Sequence, residues 1–144
     1  MSRRLPIQWG PTLIDLARPM TPKTALLLIA HGSSQPEANG DLHYVAQQLR
    51  ARGRYAIVEA SFLELAQPVI AEAAQHCVAQ GAELVIMLPY FLSAGIHVRR
   101  DLAEIRERLA AQFPQVQFRL AEPLGRHPLL LGVIMDRADE AEPD

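Results

Sequence analysis

The chain holds a single cysteine, Cys77. No intramolecular disulfide and no cysteine-rich zinc or iron–sulfur centre can form from it, and a reducing compartment is implied. Nowhere do about eighteen apolar residues run together, so no transmembrane helix is expected. Residues 1–23 include Arg3 and Arg4, but Pro6, Gly10, Pro11, Asp15 and Pro19 interrupt any apolar core of a secretion signal. A cytoplasmic protein without a membrane partner is the expectation. Basic charge is not in excess either. The formal net charge of −2 argues against a general nucleic-acid partner, because phosphate binding needs a basic face, although a local basic pocket stays compatible with it. No Gly-x-Ser-x-Gly elbow, dinucleotide fingerprint or P-loop follows any apolar run, which argues against hydrolase and nucleotide-binding chemistry.

What is present is one domain's worth of chain: 144 residues, enough for a single core but not for two. From Ala25 onward, short β-type runs alternate with amphipathic helical stretches, the pattern of a parallel sheet covered by helices. Ala25 to Ala30 reads as a strand buried on both faces. Pro36 opens a helix with Leu42, Val45, Ala46 and Leu49 at helical spacing, ending near Gly53. Tyr55 to Leu63 reads as the second strand. Pro68 begins a helix with Ile70, Ala73, Ala74, Cys77 and Val78 on one face, stopping at Gly81. Glu83 to Pro89 is the third strand, and a loop through Ile96 leads to a helix from about Val98 to Gln112 with Leu102, Ile105 and Leu109 facing inward. Val116 to Leu120 is a short fourth strand. After the Gly125-Arg126-His127-Pro128 loop a last helix fades into an acidic tail. The organisation expected is therefore an extension over 1–24, a domain over 25–138 and a tail over 139–144.

In open parallel sheets, ligands bind beyond the carboxyl ends of the strands, where loops converge and helix N-termini point. His31 directly follows the first strand, and His97 ends the glycine-containing loop after the third. Neutral imidazole is a common ligand for borderline metals and has a reference pKa suited to accepting protons. Either histidine alone reads more readily as a structural or solvated residue; two on one rim point to chemistry. Arg99 and Arg100 put two cations in a helix first turn, where the macrodipole favours anions. A substrate with several carboxylates would compensate them through paired hydrogen bonds, as would Asp101 or Glu104 nearby. Glu64 is a candidate proton acceptor or an ordinary loop carboxylate. Ser33 and Ser34 are placed either to donate to a substrate carboxylate or to cap the next helix. His43 and His76 fall on helix faces turned from the inward stripes and read as solvent-facing. His127 sits in a rim loop and is the weakest candidate ligand.

The segments Ala30-His31-Gly32-Ser33, Phe62-Leu63-Glu64 with Pro68 beyond, and Pro89-Tyr90-Phe91-Leu92-Ser93-Ala94-Gly95-Ile96-His97-Val98-Arg99-Arg100-Asp101-Leu102 together resemble the short sirohydrochlorin chelatases, a branch of the class II chelatases. The likeness spans about Ala25 to Val133, and its specific part is the run from Pro89 to His97. It implies a three-layer α/β chelatase-like fold with a four-stranded parallel sheet and helices on both faces. It implies insertion of a divalent metal, Co2+ or Fe2+ ahead of Ni2+, into a sirohydrochlorin-type tetrapyrrole, in cobalamin or sirohaem biosynthesis, with the metal as substrate and no permanently bound cofactor. His31 and His97 would bind the metal and His31 would take protons from the macrocycle. Gln67 and the loop of Leu92, Ser93, Ala94, Gly95 and Ile96 would lie against the ring. Family members often carry an acidic residue near Gln67, so a charged role there shifts attention to Glu64. Two chains would pair as a homodimer to complete the cleft. The histidine phosphatases also place His-Gly after a first strand, but behind an arginine; Ala30 stands there in this chain, which argues against phosphoryl transfer. A non-catalytic metal or tetrapyrrole carrier would use the same two histidines, and would bind stoichiometrically without accelerating insertion.

Overall fold

Seven residues, Thr24–Ala30, form strand β1, whose middle five are all buried. Burial on both faces explains its unbroken apolar sequence, since each buried Leu or Ile contributes roughly 1.5–3 kcal/mol relative to exposure. The computed structural model describes residues 22–144, and the extension expected over 1–24 lies, up to residue 21, outside them. Around β1 the elements follow in the order α1 (Pro36–Arg52), β2 (Ile57–Phe62), α2 (Ile70–Ala79), β3 (Leu84–Pro89), α3 (Ile96–Gln112), β4 (Gln117–Leu120) and α4 (Leu129–Ala141). The four strands form one sheet in the order β2-β1-β3-β4, and every pairing is parallel.

Alternate residues of β1 feed two separate cores. Ala25, Leu27 and Ile29 pack with Ala73, Ala74 and Cys77 of α2 and with Leu102 and Leu109 of α3. Leu26 and Leu28 face the other way, onto Leu42 and Ala46 of α1 and Phe62 of β2. Helices thus cover both faces of a four-stranded parallel sheet, as the alternating pattern predicts. The β4 edge strand shows the same alternation, with Phe118 buried and Gln117 and Arg119 exposed.

Two helix starts differ from the sequence expectation. α2 begins at Ile70 rather than Pro68, because the backbone there stays extended: the Pro68 carbonyl accepts from Phe62 N–H at 3.0 Å, and Val69 pairs with Phe62 in a parallel bridge. α3 begins at Ile96, two residues earlier than expected, with the extended Gly95 as N-cap and Arg99 N–H donating to the Gly95 carbonyl at 3.0 Å. His97 is therefore a first-turn helix residue rather than the end of a loop. At the other end, α4 continues through Asp139 to Ala141, with an Arg137–Glu140 contact at 2.9 Å along it.

Candidate functional site

The chain leaves β1 for β2 on one side and returns to β3 on the other, so the loops after β1 and β3 diverge from neighbouring strands. That divergence opens the crevice in which doubly wound sheets bind ligands. His31 stands at its centre, exposed, with its ring stacked on Phe91 at 4.5 Å between centroids and 29° between planes. The loop after β2 is tied to it: Leu63 N–H donates to the Ala30 carbonyl at 2.9 Å and Glu64 N–H to the His31 carbonyl at 3.1 Å. Gly32 lies so close to this second loop that a Cβ on it would collide with the Glu64 carbonyl oxygen, and its φ of +92° is one that L side chains rarely adopt. The His-Gly pair is thus a geometric requirement: the loops that carry His31 and Glu64 are in backbone contact.

The same clamp holds Leu65 at φ +63° with 68% of its surface exposed. A left-handed backbone costs a non-glycine residue about 1–2 kcal/mol. Beside His31 a cavity of about 320 Å³ is lined by Glu64, Asp101, Glu104 and Arg108 over an apolar floor of Leu63, Val98 and Ile105. Three carboxylates against one guanidinium favour a cation near the imidazole. Among the described residues, no group of three or more His, Cys, Asp and Glu side chains is placed to hold a metal together.

The structure brings His31 and Glu64 to one cavity, while His97, exposed, heads α3 at the same rim and does not line that cavity. Leu92 and Ile96 hold their apolar side chains out, 65% and 74% exposed; Ser93 and Gly95 are exposed and Ala94 half-buried. Leu92 is seated against Gly125, where a Cβ would strike the Leu92 carbonyl. Arg99 donates to the Ala94 carbonyl and to Glu122, both at 3.2 Å, so Glu122, not Asp101 or Glu104, is its acidic neighbour. Arg100 is exposed beside it. The Gln67 amide, with its nitrogen turned to Glu72, donates at 3.0 Å.

Ser33 shapes its own loop. Its hydroxyl accepts from Gln35 N–H at 3.0 Å, and its backbone N–H and carbonyl engage the Asn39 amide at 2.9 and 2.8 Å. The N-cap of α1 is Gln35, without a side-chain cap, so neither serine is the helix cap. His76 is exposed as expected; His43 is exposed too but lays its ring edge-on to Phe62 at 5.6 Å. His127 accepts from Leu129 N–H through Nδ1 at 3.2 Å, capping the start of α4.

The CbiX family model matches residues 25–141, from the second residue of β1 to the end of α4. The chain belongs to the CbiX family. Among its relatives, a sirohydrochlorin cobaltochelatase of Priestia megaterium is 37% identical over 81% of this CbiX chain and 38% of its own length. A chloroplastic sirohydrochlorin ferrochelatase of Arabidopsis thaliana is 36% identical over 78% of this chain and 50% of its own. The chain therefore spans half or less of these two relatives. It spans 90% of a sirohydrochlorin cobaltochelatase of Sulfolobus acidocaldarius, at 30% identity. A solved CbiX protein from Marinobacter aquaeolei VT8 superposes with a TM-score of 0.72 at 32% identity, over 81% of this chain and 95% of that one. SirB from Bacillus subtilis with Fe3+ gives 0.75 at 29% identity, over 84% of this chain and 48% of that one.

Sequence reasoning had not singled out Phe91, Leu65 or Glu122 of this CbiX chain, nor the cavity role of Asp101, Glu104 and Arg108. The last three carried a signal: with Ile105 they recur at helical spacing on one face of α3. Phe91 stands in the specific run from Pro89 to His97, but its meeting with the His31 ring depends on β1 and β3 being neighbours.

Proposed function

We propose that this chain inserts a divalent metal, Co2+ or Fe2+ with Ni2+ as a third candidate, into sirohydrochlorin, releasing two protons. The observation that carries the reading is the imidazole of His31 at the β1/β3 crevice, oriented by Phe91 and tied to the Glu64 loop, with His97 heading α3 on the same rim. The names of the relatives, cobalto- and ferrochelatases of sirohydrochlorin, support the substrate.

In this reading His31 and His97 ligate the incoming cation while leaving several coordination positions to water, so that the metal is delivered rather than retained. As nitrogens of the ring replace imidazole, two pyrrole protons leave. His31 accepts one and passes it to solvent, and Glu64 in the same cavity is the second acceptor. Arg99 and Arg100 hold the carboxylates at the macrocycle edge, with Arg99 turning from Glu122 to do so. Gln67, Ser33 and the loop from Leu92 to Ile96 border the ring. The protein works in the cytoplasm, where its lone cysteine stays reduced.

Two copies form the working unit. Support comes from α4, in which no residue is buried and Leu129, Leu131, Val133, Ile134 and Met135 are all more than half exposed. Relatives of about twice the length would hold in one chain what two copies supply here.

The deciding experiment follows the absorbance of anaerobic sirohydrochlorin with catalytic protein and Co2+ or Fe2+. Insertion well above the spontaneous rate is expected, falling about 100-fold or more in His31→Ala and His97→Ala with the fold intact. Tight stoichiometric binding without acceleration would instead identify a carrier.

A further inference from the structure

We infer that Leu65 is a contact residue for the flat face of the macrocycle, on the opposite side of His31 from Leu92 and Ile96. The inference rests on the chelatase reading and adds a binding residue to it. Leu65 bears two unfavourable features at once: a φ of +63° and a side chain 68% exposed. Among the described residues its side chain stays mostly uncovered, and a strained backbone held in place by its surroundings is a mark of functional positions.

The backbone around Leu65 is held from both ends. Glu64 N–H donates to the His31 carbonyl, and beyond the loop the Pro68 carbonyl accepts from Phe62. The excursion from Leu63 to Gln67 therefore cannot relax without breaking the anchor that positions the His31 loop. The sheet order decides what lies across from it. With strands in the order β2-β1-β3, Leu65 rises from the β2 flank, His31 from β1, and the loop of Leu92 leads from the β3 flank to Ile96 at the start of α3. Leu92 and Ile96 are likewise more than half exposed. Large apolar side chains on both flanks of an imidazole suit a planar, apolar-faced ligand resting across the crevice, its face touching the leucines and its centre over the histidine. A small hydrated cation alone would gain nothing from such flanks.

Leu65→Gly and Leu65→Asn both accept a positive φ, so they separate strain from contact. Melting temperature, oligomeric state, sirohydrochlorin affinity by fluorescence quenching, and steady-state kinetics with Co2+ are measured on the full chain. Expected are a melting temperature equal to or above that of the unsubstituted protein, sirohydrochlorin binding and KM worse by about tenfold, and kcat within about twofold. Leu65→Met, apolar and similar in size, restores binding. Unchanged affinity in the Gly and Asn variants, while the unsubstituted protein inserts metal, would overturn the Leu65 contact and leave the chelatase reading standing. Loss of oligomeric state in place of affinity would also overturn it, by placing Leu65 in an interface between copies. Failure of the unsubstituted protein to bind sirohydrochlorin at all would overturn both.

Discussion

Cys77 lies in the core against β1, and burial, with a smaller push from Glu59, raises its thiol to about 12. In the unfolded chain the thiol ionises near an ordinary value of about 8.5. Folding holds it protonated, so its contribution to stability is whole below about pH 8.5 and declines as pH rises from there toward 12. Iodoacetamide should leave Cys77 unmodified in the native protein at about pH 8 and label it in urea, and Cys77→Ala should lose less stability than the unsubstituted protein on going from pH 8 to pH 11. Gly32 is the other residue whose environment decides its identity. Gly32→Ala must move the Glu64 carbonyl or the His31 loop and must also adopt a φ of +92°. We expect a loss of about 2–4 kcal/mol in urea unfolding, together with weakened metal insertion as the His31 and Glu64 loops separate.

The elements that carry the site are those whose starts depart most from local sequence rules. α3 has no acidic residue in its first turn and instead carries Arg99 there, with Arg100 just beyond, a charge arrangement that opposes its dipole. The extended Gly95 cap and the Arg99–Glu122 pair at 3.2 Å only partly offset it, since both partners of that pair are exposed. Arg100→Gln should leave stability in urea within about 0.5 kcal/mol while raising the KM for sirohydrochlorin several-fold. A variant with lower stability and unchanged KM would assign Arg100 to the fold. The start of α2 departs from its local signal for a different reason. Pro68 is a sound helix opener by propensity, but its carbonyl is needed by Phe62, and a tertiary hydrogen bond overrides the local signal.

At the scale of the molecule, α4 stands apart among the described elements. The other helices bury a stripe on the sheet, whereas α4 leaves the rim through the His127 cap and buries none of its residues. Its exposed apolar side chains, Leu129, Leu131, Val133, Ile134 and Met135, are what the proposed pairing of two copies would cover. Ile134→Glu with Met135→Lys should convert a dimer to monomers in sedimentation equilibrium, and metal insertion should fall with it if two copies complete the cleft. Dimerisation unaffected by the pair would move the interface elsewhere.

Much of this protein was legible in its chain. The continuous apolar run of β1, the helical spacing of Leu42 and Ala46 or of Leu102 and Leu109, and the run from Pro89 to His97 specify an α/β sheet and its family, because side-chain period and close-packed motifs are local properties. The placement of His31 at a strand end was legible for the same reason. What only the tertiary structure decided is which loops meet. The stacking of Phe91 on His31, the backbone contact between Gly32 and Glu64, the strained display of Leu65 and the pairing of Arg99 with Glu122 all follow from the strand order β2-β1-β3-β4. That order is set by how two cores are filled at once, and no local window of sequence records it.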